Sequence, residues 1–319
     1  MRLKVISILF ILTVLMAVQC KKNEPEPEQK PAITDVHFWH ALIERGVDTN
    51  GDGIISETEA EAVHYLDISF CNIGYLLSGI ELFVNLEFLN CSRNSISFLD
   101  LSNNKNLKEL YCSDNQLAFL DVTNNAKLNY LDCNNNQLIS LDVSNNTALV
   151  EVDCAFNQLT GLDVSQNTAL IKLACYGNPL TTLDVSHNTG LVTLMCFYNQ
   201  LTNLDVSNNT HLETLNVGSN QLTSLDVSNN TVLETLDVGS NQLTILDVSN
   251  NTALVEVDCA FNQLTSLDVS NNNSLQELNL SNMPSISKVC VWEIPFPPAG
   301  VQVDTYSSPN VYFTTDCGK

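Results

Sequence analysis

The stretch "DTNGDGIISETE" (Asp48–Glu59) sets oxygen-bearing residues at a spacing that suits a hard cation. Asp48, Asn50 and Asp52 supply side-chain oxygens at the first, third and fifth places. Ile54 offers its carbonyl at the seventh, Ser56 sits at the ninth, where the contact usually runs through water, and Glu59 closes the loop at the twelfth. Gly53 permits the sharp turn at the sixth place, and Ile55 is an apolar anchor at the eighth. This is the donor order of a calcium site. An Asp/Gly-rich turn without metal is the alternative reading.

The whole stretch resembles an EF-hand calcium loop. The flanking segments "DVHFWHALIERG" and "ETEAEAVHYL" can both form amphipathic helices. A lone hand has no second loop to couple with. Its expected role is therefore structural, with calcium fixing a helical cap over whatever follows.

Little else in the chain points to chemistry. The five histidines, His37, His40, His64, His187 and His211, form no catalytic motif. There is no nucleophile elbow, phosphate loop, zinc signature or catalytic carboxylate pair, so an enzyme is not expected. The sequence holds 13 Lys+Arg against 36 Asp+Glu, a formal charge of −23. That charge disfavours nucleic acid, whose phosphates need basic side chains, and adhesion to an anionic membrane surface.

The elements that position the loop begin beyond an export segment. Arg2 and Lys4 precede the apolar run Val5–Val18, which has signal-peptide proportions and is short for a membrane span. "LMAVQC" resembles a bacterial lipobox, although Gln19 stands where a small residue is usual. The resemblance implies that Cys20 becomes a lipidated first residue. An ordinary secretory peptide cleaved nearby is the alternative. The charged, Pro-rich "KKNEPEPEQKP" (Lys21–Pro31) reads as an extended tether. Its acids resemble the export tag of some Gram-negative surface lipoproteins, which implies a lipid-anchored outer-membrane or cell-surface location.

Most of the remainder is a repeat. "LDVSNNTALVEVDCAFNQLT" occurs at Leu141–Thr160 and again at Leu246–Thr265. The triplet Leu-Asp-Val recurs every 21 residues from Leu120 to Leu267, and a second triplet, Leu/Val-x-Cys in seven coils, keeps the same step from Leu89. Self-similarity at this period means a solenoid whose coils bury their apolar faces only by stacking. Verbatim copies argue against a unique catalytic centre inside them. The unit L-x-x-L-x-C-x-x-N-Q-L-x-x-L-D-V-S-x-N-x-x resembles the nested 21-residue bacterial class of leucine-rich repeats called IRREKO, and "GIELFVNLEFLNC" (Gly79–Cys91) looks like an internalin-type repeat. The expected fold is a mostly β, right-handed leucine-rich-repeat solenoid. It has a parallel front sheet of about ten strands, a short second sheet at the Leu-Asp-Val triplets and a small helical EF-hand-like N-terminal cap. The expected divisions are a signal peptide over 1–20, a tether over 21–35, the cap over 36–65, the solenoid over 66–280 and a C-terminal cap over 281–319.

The register builds columns. Cys91, Cys112, Cys133, Cys154, Cys175, Cys196 and Cys259 share one inward position with Val217 and Val238, which marks a small apolar site rather than a disulfide framework. Cys290 and Cys317 bracket the non-repeat end and are the expected bridge, while Cys71 is unassigned. Two asparagine columns, from Asn115 to Asn262 and from Asn104 to Asn272, are expected to satisfy turn backbones. An outward aspartate column from Asp100 to Asp268 either accepts hydrogen bonds from neighbouring turns or forms a row of cation sites.

Function is expected where coils differ. Tyr130, Glu151, Asp153, Phe156, Lys172, Tyr176, Met195, Phe197 and Tyr198 gather at outward positions of the middle coils, where other coils carry Ser, Gly or Asn. Aromatics among a few charges suit a recognition patch. Phe156 and Tyr198 folding over the edge to cover the core is the alternative. The resemblance implies recognition of a protein or glycan through the concave face, and the expected protein is non-catalytic, monomeric and held to the membrane only by its lipid. A spacer lipoprotein of the envelope with no dedicated ligand is the other reading.

Overall fold

The computed structural model describes residues 33–318. The expected signal peptide, Cys20 and the tether through Ala32 lie outside the described residues. The chain from Ile33 onward is a parallel β-solenoid of the leucine-rich-repeat type.

Two helices open it. Asp35 caps α1 (Val36–Glu44) by accepting the N–H groups of His37 and Phe38 at 2.8 and 2.9 Å. Its second carboxylate oxygen accepts the Gly74 N–H at 2.8 Å, so one residue both starts the helix and ties it to the first coil. Phe38, Ala41 and Leu42 on the inner face of α1 are buried in the same core as the repeats. The Phe38 ring lies 6.3 Å from that of Phe83. Helix α2 (Glu57–Glu61) is only five residues long. The sequence pattern predicts a longer helix here, but the chain leaves it at Ala62. Tyr65–Asp67 instead forms the first strand of the front sheet against Phe88–Asn90. Pairing on the sheet edge outweighs the weak helical preference of Val63, His64 and Tyr65.

Twelve three-residue strands make the front sheet. They begin with Tyr65–Asp67, Phe88–Asn90, Glu109–Tyr111, Tyr130–Asp132, Glu151–Asp153 and Lys172–Ala174. They continue with Thr193–Met195, Thr214–Asn216, Thr235–Asp237, Glu256–Asp258, Glu277–Asn279 and Gln302–Asp304. All pair in parallel and in register, with Leu110 opposite Leu131 and Leu173 opposite Leu194. The repeat accounts for ten of these strands. Tyr65–Asp67 and Gln302–Asp304 extend the pairing beyond the repeat at both ends.

The pleat sorts the side chains. The middle residue of each repeat strand and the residue two places on point inward, so Leu110 with Cys112 and Leu194 with Cys196 are fully buried. Each buried leucine contributes about 2 kcal/mol of transfer free energy, realised only when the next coil covers it. The first asparagine column closes the turn after each strand. Asn157 accepts the Leu138 N–H at 2.9 Å and donates to the carbonyls of Cys133, Cys154 and Ala155 at 3.0–3.1 Å. In the second column, Asn146 donates to the carbonyls of Val122 and Asn125 at 2.9 Å, while its Oδ1 has no protein partner.

The second sheet has three strands: Ser266–Asp268, Lys288–Cys290 and Tyr312–Thr314. Among the Leu-Asp-Val triplets, only that of Leu267 contributes a strand. Along the earlier coils this side is joined by single backbone bonds such as Gln137 N–H to the Leu117 carbonyl at 2.8 Å, which make no ladder. A disulfide links Cys290 to Cys317 and so ties the chain end to the middle strand of this sheet. The rings of Trp292, Phe296 and Phe313 lie beside the last coils, with centroids 5.1 and 4.9 Å apart.

Candidate functional site

The loop Asp48–Glu59 is wound by its own side chains. Asp48 accepts the N–H groups of Gly51 and Gly53 at 2.7 and 2.9 Å. Asn50 accepts from Asp52 N–H and Asp52 from Ile54 N–H, both at 2.8 Å. These bonds need backbone in the left-handed region, which Gly51 (φ 74°) and Gly53 (φ 79°) supply. The Trp39 indole N–H donates to the Gly53 carbonyl at 3.1 Å and pins the loop to α1. Ile55 packs against the core, while Ile54 is exposed with its carbonyl at the seventh place.

Glu59 is buried and closes the loop from α2. One oxygen accepts the Thr49 N–H and hydroxyl at 2.7 and 2.9 Å, and the other accepts the Ser56 N–H and hydroxyl at 3.0 and 2.8 Å. The Ser56 backbone bond, then the Ser56 and Thr49 hydroxyls, hold this carboxyl down to about 2. The donor set fits calcium in type: oxygens only, three of them carboxylates, at the required order. To reach a cation beside Asp48 and Asp52, Glu59 must exchange some of these hydrogen bonds for coordination.

Other candidate ligand sets are spent. Among the described residues, the only tight group of possible metal ligands is Asp268 with Cys290 and Cys317, and those two sulfurs are bonded to each other. The ladder cysteines are free and buried. Burial pushes the thiols of Cys91 and Cys196 up to about 12 and those of Cys112, Cys133, Cys154 and Cys175 well above the usual range. They remain neutral packing groups. In the outward aspartate column each acid serves its own turn. Asp142, for example, accepts the Ser144 N–H at 2.9 Å, and the Ser144 hydroxyl, then that N–H, lower its carboxyl.

The front sheet carries two aromatic groups. Tyr130, expected in the patch, stacks on Tyr111 at 4.5 Å. Tyr111 approaches Phe88 at 5.3 Å, and Phe88 stacks on Tyr65 at 4.2 Å. Tyr65, Phe88 and Tyr111 are absent from the sequence-based patch. The available signal was their strand position, since Tyr65 and Phe88, like Tyr130, directly precede the inward leucine. The second group joins Phe156 edge-on to Tyr176 at 5.2 Å, Tyr176 to Phe197 at 4.2 Å and Phe197 to Tyr198 at 5.4 Å. Glu151 and Lys172 sit on adjacent strands, 3.9 Å apart at their charged ends, and Met195 follows at the third place of the next strand.

Phe156, Tyr198 and Phe261 share a conformational oddity. All three lie at one turn position with φ of 49°, 51° and 54°, where other coils carry Arg93, Asp114, Asn135, Gly177, Ser219, Ser240 or Asn282. A bulky residue in the left-handed region costs about 1–2 kcal/mol. These rings are 52%, 61% and 56% exposed, so covering the core does not repay that cost. Gly177 makes room for one of them: a Cβ there would lie 2.6 Å from the Phe156 ring.

Aspartates at the third strand position are likewise more than the fold requires. Asp153 accepts the Ala155 N–H at 3.0 Å, and Asp237 accepts the Gly239 N–H at 2.9 Å. Asn90, Asn216 and Asn279 make the same bond without a charge. Burial, first, raises the carboxyls of Asp132, Asp153 and Asp237, and acidic neighbours add to it.

The family model described as the LVIVD repeat matches residues 238–260. The functional domain of InlJ from Listeria monocytogenes, which includes a cysteine ladder, is similar in structure with a TM-score of 0.79 and 36% identity over 86% of this chain. This chain spans 61% of that domain. The internalin InlF from Listeria monocytogenes is similar with a TM-score of 0.59 and 22% identity, covering 87% of this chain and 98% of its own. None of the curated proteins compared with the chain matches it. The described helices include none long and apolar enough to cross a membrane.

Proposed function

We propose that this chain is a non-catalytic, surface-anchored binding protein that recognises a protein ligand through the outer, concave face of its front sheet. The observation that carries the reading is the strained, exposed placement of Phe156, Tyr198 and Phe261. Residues held in a costly conformation and left in solvent are accounted for by an external contact. The resemblance to internalin-type structures supports a binding role and names no ligand.

The test is a double substitution, Phe156→Asn with Tyr176→Ser. Both new residues occur at the equivalent places of other coils, as Asn135 and Ser113 do. Thermal stability should therefore hold or rise, because Asn tolerates the left-handed region. Affinity for a ligand found by screening host-protein and glycan arrays should fall about tenfold or more, the usual weight of a buried aromatic anchor. Unchanged affinity overturns the assignment of this face and favours the spacer reading. A ligand found only among glycans replaces the protein class.

The loop Asp48–Glu59 is proposed to hold one calcium through Asp48, Asn50, Asp52, Ile54, Ser56 and Glu59, and so to stiffen the junction of α1, α2 and the first strand. Calorimetry of the native chain should show one binding event that Asp48→Ala abolishes. The melting temperature of the native chain alone should then rise with calcium. Identical titrations of native and variant protein overturn the site. Lipidation at Cys20, and with it a Gram-negative outer-membrane anchor, belongs to the same proposal and rests on the sequence.

A further inference from the structure

A cleft of about 300 Å³ opens on the C-terminal half of the front face, where the sequence pattern is plainest. Two absent side chains create it. A Cβ on Gly218 would lie 2.9 Å from the Asp237 Oδ1, and one on Gly239 would lie 3.1 Å from the Asp258 Oδ1. The floor is thus two carboxylates on neighbouring strands, in register. Phe197 and Tyr198 form one rim and Phe261 the other. Three coils separate Tyr198 from Phe261, so the trough is about 14 Å wide at ~4.8 Å per strand.

The floor is charged without compensation. Asp258 receives the Asn279 amide at 2.8 Å, but no ion pair among the described residues reaches either acid. Asp153, at the same strand position further up, has Lys172 near it. Asn216 and Asn279 flank the pair and make the same turn bond, so asparagine would serve the fold at Asp237 and Asp258. The negative charge therefore has its use outside the fold. Aromatic rims favour cations over neutral or anionic groups, through the negative faces of their rings. The formal charge of −23 adds long-range attraction for a basic partner.

We infer that this cleft receives a lysine or arginine side chain from a basic segment of a protein partner, with Asp237 and Asp258 pairing the cation and Phe197, Tyr198 and Phe261 flanking its aliphatic stem. The inference rests on the front face being the recognition surface, and it adds the chemistry of the partner.

The experiment titrates the full chain with hexalysine, hexaglutamate and maltohexaose by calorimetry at low ionic strength. Hexalysine should bind, and Asp237→Asn with Asp258→Asn should weaken it about tenfold or more. Asp205→Asn with Asp226→Asn, the same chemical change in the outward aspartate column, should leave it within about twofold. Circular dichroism should show both variants folded. Absence of hexalysine binding, or equal losses from the two acid pairs, overturns the cleft as a cation site. Maltohexaose binding that depends on Asp237 and Asp258, without hexalysine binding, makes it a sugar site instead. The two readings fail separately. If Phe156→Asn with Tyr176→Ser abolishes a screened ligand while the Asp237 and Asp258 variant binds everything normally, the cleft is wrong and the recognition face stands.

Discussion

Asn157→Ala is expected to destabilise the solenoid by about 3–5 kcal/mol, an effect shared by the other asparagines of its column, which make the same four bonds. The amide satisfies one buried N–H, that of Leu138, and bonds three carbonyls, those of Cys133, Cys154 and Ala155. No water reaches this turn to replace it, since Asn157 and Leu138 are buried. Each buried polar group left unpaired costs about 1–3 kcal/mol, and the carbonyls keep part of their bonding elsewhere. Asn146→Ala in the other column should cost less, about 2 kcal/mol, because that amide makes two bonds and leaves its own oxygen without a protein partner. Urea denaturation of the two variants beside the native chain measures the difference. Equal losses would show that the columns are interchangeable and that the contact geometry assigned to Asn157 does not govern stability. Unfolding should also become less cooperative in Asn157→Ala, because a solenoid holds together only through adjacent coils.

Opening the Cys290–Cys317 bridge should cost about 3.5 kcal/mol, the chain-entropy value for a loop of this length, which spans 27 residues. The loss should be local. The bridge ties the chain end to Lys288–Cys290, the strand between Ser266–Asp268 and Tyr312–Thr314, so fraying should start from this end. Cys290→Ser is the clean variant, since it leaves the ladder thiols untouched. Its melting temperature should match that of the native chain in reductant, and reductant should not lower it further. Hydrogen exchange should quicken in Gln302–Asp304 and Tyr312–Thr314 while the strands from Glu109 to Thr193 keep their protection. The ladder cysteines should resist maleimide in both, because burial keeps them as neutral thiols out of solvent. A drop in melting temperature on adding reductant to Cys290→Ser would place a second bridge in the ladder.

Much of this architecture was legible in the 21-residue period. An inward Leu, an inward Cys or Val and an inward Asn at constant spacing leave one way to bury them, as coils stacked in register. The period therefore determined which residues are buried, which asparagines close turns, and why seven cysteines pack as small apolar groups. The order of oxygen-bearing residues in Asp48–Glu59 was equally plain, because they lie in one continuous segment. The tertiary structure decided what depends on more than one coil or on backbone angle. Which rings touch is settled by side chains on neighbouring strands, so Tyr130 joins Tyr111 and not Phe156. The left-handed φ of Phe156, Tyr198 and Phe261 is set by the shape of the turn, which the Asp, Asn and Ser of sister coils only hint at. The confinement of the second sheet to Leu267 depends on a strand, Lys288–Cys290, that lies outside the repeat. The cleft above Asp237 and Asp258 is made by two glycines that lack side chains and by rims three coils apart, a combination no single 21-residue unit contains.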